Sequence, residues 1–437
     1  MDDARPVDIA VIGAGYVGLT VGACLADLGH RVACVEKDRL KLAALRAGRV
    51  PFHEPGLAEL VRAARERGLL SLTDDLAAAA AGAPLVFIAV GTPTRGDGTA
   101  DLSALQDVVE DLCPVATAQH VVVVKSTVPV GTTEWVQGVV AHTGASVAAN
   151  PEFLREGSAV EDFLRPARVV IGTLHDGAAR LLASVYRPMQ CPILVTDPRT
   201  AEMIKYASNA FLATKISFIN EVAAICERLG ADVAVVAQGM GADPRIGPHF
   251  LRAGVGFGGS CLPKDLRALV ACARVHDVRP LLLEAVQDVN EATRQRFIDT
   301  VESALGGLRG RTLAILGLTF KGGTSDLRES PALDIALRLL DGGAVIRAFD
   351  PQVGEEITGH LPQAIRCTDA YDAGEGSDAI LLLSDCPEFL HLDWRRIASR
   401  VHGRLIIDGR GLPVREVATR AGFVYLGRGD RLPVSVP

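Results

Sequence analysis

The chain predicts an α/β fold with two Rossmann-like, doubly wound sheets, a long central helix and a small helical domain between them. Three observations carry this. Apolar runs alternate with helical stretches through the first third, a second such series begins near residue 311, and the stretch from Arg199 to Leu229 contains no Gly or Pro. Alternation of this kind marks βαβ units around a parallel sheet, whose strands are covered on both faces and so read as continuous apolar runs.

In order, DIAVIGAG (8–15) is a strand and turn, followed by a helix to Leu28. RVACVEKD (31–38), a helical stretch over 39–47, PLVFIAVG (84–91) and VVVVKST (121–127) continue the series. Residues 199–229 carry apolar side chains at helical spacing and stop at Gly230, a helix C-terminal signal. A helix of this length bridges domains or subunits, and its face bearing Tyr206, Ala210, Ala213 and Ser217 is read as core or subunit contact. RTLAILGLTF (311–320), AVIRAFDP (344–351), AILLLS (379–384) and RLIIDGRG (404–411) form the second series, which has Gly317 alone where the first has three glycines. The expected domains are 1–200, 201–305 and 306–437, in agreement with roughly 150 residues per domain.

Composition excludes several classes. With 49% hydrophobic and 22% charged residues and a net charge of -7, the chain is globular, and its acidic balance opposes nucleic acid. The longest apolar runs are strand-sized, far short of a membrane span. Nine scattered cysteines without a CxxC pair predict neither a metal site nor a disulfide framework. The acidic N-terminus enters a strand at once, with no room for a signal peptide, so a cytoplasmic location is expected.

Gly13-Ala14-Gly15-Tyr16-Val17-Gly18, between a strand and an apolar helix, is the arrangement in which a pyrophosphate rests on a helix N-terminus. Glu36 lies 18 residues beyond Gly18 at the end of the next strand, where a carboxylate accepts hydrogen bonds from ribose hydroxyls. Together they predict NAD, and Glu36 would repel the extra phosphate of NADP. Thr92 and Pro93, in the loop after PLVFIAV, fall at the carboxyl edge of the sheet.

One thiol stands where chemistry is plausible. In GVGFGGSCLPKD (254–265), four glycines precede Cys261 and let a large ligand approach, and Pro263 suits the first position of a helix. Cys261 at a helix N-terminus with Lys264 nearby would favour the thiolate. Lys205 and Asn209, four apart on the long helix, share a face and suit stabilising a developing alkoxide. Glu152 and Glu156, also four apart, are expected to share a helical face.

Six ordered segments make the chain resemble the UDP-glucose/GDP-mannose dehydrogenase family over nearly its whole length. They are GAGYVGLT (13–20), KSTVPVGTT (125–133), NPEFLREGSAVEDF (150–163), EMIKYASNAFLA (202–213), GFGGSCLPKD (256–265) and GLTFKGGTSDLRESPA (317–332). The resemblance implies a homodimer with a helical dimerisation domain that oxidises a sugar nucleotide's primary alcohol to a carboxylate with two NAD in succession. It implies that Cys261 carries a thiohemiacetal and then a thioester, with Lys205, Asn209 and Asp265 around it. Glu156 resembles the carboxylate that guides the hydrolytic water, with Asp265 a competitor, and Thr127 the hydroxyl that positions it. Tyr16, Val17, Thr127 and Lys264 fall among the cofactor contacts.

For the substrate, the resemblance implies Glu152, Phe153, Leu154, Phe257, Gly258 and the diphosphate cations Arg245, Lys321 and Arg410, with Arg245 reaching across the dimer. GTPTRGDGTADLSAL and DPRIGPHFL are most like the UDP-glucose members, so UDP-glucose is the expected substrate and UDP-glucuronate the product. GDP-mannose and UDP-galactose remain alternatives, whereas the intact GGSC and PKD argue against N-acetylated sugars. A two-electron β-hydroxyacid dehydrogenase and a non-catalytic NAD-binding sensor are the rival classes; neither needs Cys261.

Overall fold

The computed structural model describes residues 6–430; the outer ends of the first and third expected domains lie outside them. Contacts divide the chain into two compact units. One runs to Ser208 and takes in Arg267–Val278; the other joins Asn209–Leu266 to the chain from Arg279 onward.

The first unit is built on strands β1 (Asp8–Ile12), β2 (Arg31–Val35), β3 (Leu70–Thr73), β4 (Leu85–Ile88), β5 (Val121–Val124), β6 (Ser146–Ala149), β7 (Val169–Gly172) and β8 (Ile193–Thr196). Their order in the sheet is β3-β2-β1-β4-β5-β6-β7-β8. All pairs are parallel except β6 with β7. Successive residues of β1 point to opposite faces: Ile9 and Val11 enter one core with Leu19 and Leu25, while Ala10 and Ile12 enter another with Leu105 and Val136. This double burial explains why β4 and β5 are apolar at every position.

The second unit repeats the design with β9 (Thr312–Leu316), β10 (Val345–Phe349), β11 (Ile365–Arg366), β12 (Ala379–Leu382), β13 (Leu405–Asp408) and β14 (Val424–Gly427). Their order is β11-β10-β9-β12-β13-β14, parallel throughout. Here Leu313 and Ile315 face one core, Ala314 and Leu316 the other.

The long helix spans Pro198–Leu229, belonging to the first unit up to Ser208 and to the second from Asn209. It ends where expected, at Gly230, whose φ of 75° closes the last turn through its N–H to the Cys226 carbonyl. Tyr206, Ala210, Ala213 and Ser217 are all buried, and the Ser217 hydroxyl donates to the Val286 carbonyl at 2.8 Å. Among the described residues, no helix is long and apolar enough to cross a membrane.

Candidate active site

In the first unit, the glycine turn after β1 has the expected steric logic. Gly13 has φ 97°, and a Cβ there would lie 2.9 Å from the Ala89 carbonyl oxygen; a Cβ on Gly18 would lie 1.8 Å from that of Gly13. These two glycines let strand and helix close on each other. Gly15 differs, because a Cβ there would meet nothing within 4 Å. Gly15 is also the N-cap of the helix Tyr16–Asp27, with no side chain capping it. The first-turn N–H groups beside open space fit a pyrophosphate, so the residues present fit NAD. Val17 is half-buried on the first turn of that helix.

Glu36 follows β2 and is buried. Its Oε2 lies 2.6 Å from Lys41 Nζ, and its Oε1 accepts from the Asp38 N–H at 3.1 Å. Lys41 escaped the sequence reading because no helical spacing links it to a residue in the preceding strand. Thr92 is buried and donates through Oγ1 to the Thr127 carbonyl at 2.7 Å, tying together the loops after β4 and β5, while Pro93 is exposed. Thr127 and Lys205 line one small hollow with Pro151 and Glu202. Glu202 fixes that loop to the long helix, accepting from Gly131 N at 2.6 Å and Thr133 N at 2.7 Å.

Glu152 and Glu156 do not share a helical face, contrary to expectation: residues 150–157 form no helix. Pro151 disfavours helical continuation, the Glu152 carboxylate takes the Leu154 N–H at 2.6 Å, and Gly157 turns the chain with φ 81°. Glu152 instead pairs with Lys205, Nζ to Oε1 2.9 Å, with both side chains buried. Burial by itself raises the Glu152 carboxyl, but Lys205, the Leu154 N–H and Lys125 together outweigh it and hold the group below the usual carboxylate range. Behind this pair Lys125 donates to Asn150 Oδ1 at 3.0 Å, and burial pushes its ammonium down to about 7. Phe153 and Leu154 are half-buried; the Arg168 guanidinium covers the Phe153 ring at 3.6 Å.

In the second unit, Cys261 directly precedes the helix Leu262–Val275, and its carbonyl accepts the Asp265 N–H at 2.9 Å. Pro263 is therefore the second helical residue rather than the first. Cys261 is half-buried, with Ser260 Oγ 3.5 Å from its sulfur. Asp265 is buried and holds two groups: Asn209 Nδ2 donates to Oδ2, and Lys264 Nζ to Oδ1, each at 2.6 Å. Lys264 is thus engaged by Asp265, which sequence alone did not reveal. Asn209 stands one turn beyond Lys205 on the long helix.

The glycines before Cys261 admit the protein's own chain. A Cβ on Gly256 would lie 2.6 Å from Asn290 Oδ1, one on Gly258 2.1 Å from the Glu329 carbonyl oxygen, and one on Gly259 2.7 Å from the Phe320 ring. Their neighbours nonetheless line an open cleft of about 250 Å³ with Arg252, Phe257, Phe320, Lys321 and Arg410. Gly258 belongs to the same lining. Arg410 donates from Nε to the Leu383 carbonyl at 2.8 Å and from Nη2 to the Phe320 carbonyl at 2.7 Å. Its Nη1 donates to no described residue and lies toward Gly254. Cations beside an apolar floor suit a ligand joining a diphosphate to a ring.

Arg245 does not line this cleft. It is exposed and paired with Asp243 at 2.6 Å. Arg252, which the sequence reading missed, does line it, donating to the Gly411 carbonyl at 2.9 Å with Asp385 3.7 Å away. Its place two residues before Gly254 was the available signal.

Comparison with known proteins places the chain in one family along most of its length. Residues 7–190, 199–292 and 314–413 match, in turn, the NAD binding, central and UDP binding domains of the UDP-glucose/GDP-mannose dehydrogenase family. The chain is 46% identical to a UDP-glucose 6-dehydrogenase of Rhizobium meliloti, over 97% of this chain and 100% of that one. It is 43% identical to the UDP-glucose 6-dehydrogenase TuaD of Bacillus subtilis, over 95% of this chain and 92% of that one. The solved structure of a UDP-glucose dehydrogenase from Pyrobaculum islandicum superposes with a TM-score of 0.92 at 39% identity, covering 98% of this chain and 99% of that one.

Proposed function

Because this chain belongs to the UDP-glucose/GDP-mannose dehydrogenase family and is an NAD-dependent oxidoreductase, we propose that it oxidises UDP-glucose at C6 to UDP-glucuronate through a thioester on Cys261. The observation that carries the reading is the placement of Cys261 just beyond Phe257 and Gly258, which line the cationic cleft. NAD supplies the electron acceptor, one hydride for each of two successive molecules. The chain's residues do the rest. Arg252, Lys321 and Arg410 hold the diphosphate. Lys205, fixed by Glu152, and Asn209, fixed by Asp265, donate to the oxygen on C6 as its charge develops.

The Cys261 sulfur adds to the aldehyde carbon to give a thiohemiacetal, whose oxidation leaves a thioester. Water guided by Glu156 and Thr127 then cleaves the C–S bond, returning the thiol and releasing the carboxylate. Alcohol plus water thus becomes acid with the loss of four electrons. Thiol chemistry of this kind suits a reducing cytoplasm.

UDP-glucose, UDP-galactose, UDP-N-acetylglucosamine and GDP-mannose, each supplied with NAD, test the reading by counting NADH per sugar. UDP-glucose is expected to be preferred, with two NADH per sugar; one NADH would sink the four-electron reading, and preference for another sugar would sink the assignment.

We also propose a homodimer formed through the long helix. Phe211, Phe218, Ile225 and Leu229 are 64%, 47%, 53% and 72% exposed, the first three spaced by seven residues along one stripe. Arg245 is proposed to serve the partner's cleft. Phe211→Asp with Phe218→Asp should convert a particle of two chains into one of a single chain in sedimentation; an unchanged mass would reject this interface.

A further inference from the structure

A buried carboxylate outside the residues assigned above ties the dinucleotide end to the segment carrying Glu156. Glu54 lies between Pro51 and the Gly56 turn and is 6% exposed. Its Oε1 accepts the Ala159 N–H at 2.7 Å, and its Oε2 accepts the Gly157 N–H at 2.7 Å. The Tyr16 hydroxyl donates to the same Oε2 and is itself 3.1 Å from Gly157 N. Tyr16 opens the helix whose N-terminus faces the space beside Gly15, and its ring packs on Phe52 at 5.1 Å. Three donors converge on a single carboxylate, and charge-assisted bonds of this kind are the strong ones.

We infer that Glu54 is a positioning residue: through Gly157 and Tyr16 it holds the Glu156 segment in register with the dinucleotide-binding helix for thioester hydrolysis. This rests on the hydrolytic role proposed for Glu156. Residues 150–157 have no strand or helix to order them. Side chains that hold them include Lys125 on Asn150, Lys205 on Glu152, Asp162 on Arg155 and Glu54 on Gly157. Gly157 directly follows Glu156 and has φ 81°, and the N–H that Glu54 grips is that of the peptide joining the two. Burial and Glu54 raise the Tyr16 hydroxyl, and the charge of Glu156 adds to that shift. An amide at position 54 would turn an NH2 toward one of these donors, taking a charged acceptor from a buried N–H.

Two measurements on Glu54→Gln test this. In protein without added ligand, exchange of the Gly157 and Ala159 amides is expected to accelerate about tenfold, as a lost bond to an ionised group implies. With UDP-glucose and NAD, kcat is expected to fall on the order of 100-fold, the effect of misplacing a reacting group. The two KM values should stay within about twofold, the pattern of an interaction that serves the reaction more than ground-state binding. Acid-quenched protein should then carry an acyl group on Cys261, as Glu156→Gln should. If Glu54→Gln does not fold, Tyr16→Phe, which removes one donor and keeps the ring, should give the same pattern in smaller degree. Unchanged exchange, or slow turnover without the acyl group while Glu156→Gln accumulates it, would overturn the role of Glu54. Absence of the acyl group in Glu156→Gln would overturn the reading of Glu156, and the role of Glu54 with it.

Discussion

Cys261→Ala is expected to end UDP-glucuronate formation, lowering it by at least about 1,000-fold, or ~4 kcal/mol of transition-state stabilisation. Without the sulfur there is no tetrahedral adduct from which the second pair of electrons leaves as hydride and no thioester for water to cleave. The substitution removes one polarisable atom from a half-buried position, so melting should hardly change. Acid and NADH are read separately on purified protein. Two NADH per sugar, with acid made at the parent rate, would end the covalent mechanism.

Arg410→Ala is expected to weaken binding of UDP by about 100-fold, because ~3 kcal/mol is the upper range for hydrogen bonds to a charged group. Two donors already anchor the side chain to the Leu383 and Phe320 carbonyls, leaving the third nitrogen for ligand. Burial lowers the Arg410 guanidinium from its usual value and Asp385 opposes that shift, so alanine would also take a cationic neighbour from Asp385. Titration calorimetry with UDP alone reads this without turnover. An unchanged affinity would show that the diphosphate does not use this cleft.

Much of this was legible in order along the chain. The glycine turn and Glu36 lie within one βαβ unit, where strand, helix and acid are joined by short, regular connections. The long helix was legible because its period is local, and so was the spacing that sets Lys205 and Asn209 on successive turns of it. The same spacing misled at Glu152 and Glu156: four residues apart means one face only if the backbone is helical, and Pro151 and Gly157 prevent that. Lys41, Arg252 and Glu54 were missed for a different reason. Each acts through a partner brought near by folding, as when Glu54 meets Ala159.

By itself the sequence determined the α/β class, the two doubly wound halves, the dinucleotide turn and the thiol's place at a helix start, because these follow from period, glycine spacing and side-chain type. Only the tertiary structure decided which charges meet. It set Lys205 on Glu152, gave Asp265 both Asn209 and Lys264, and filled the space over three glycines before Cys261 with Asn290, Glu329 and Phe320. Ion pairs and close approaches depend on distances through space, and residues far apart in the chain acquire those distances only when the sheets and helices pack.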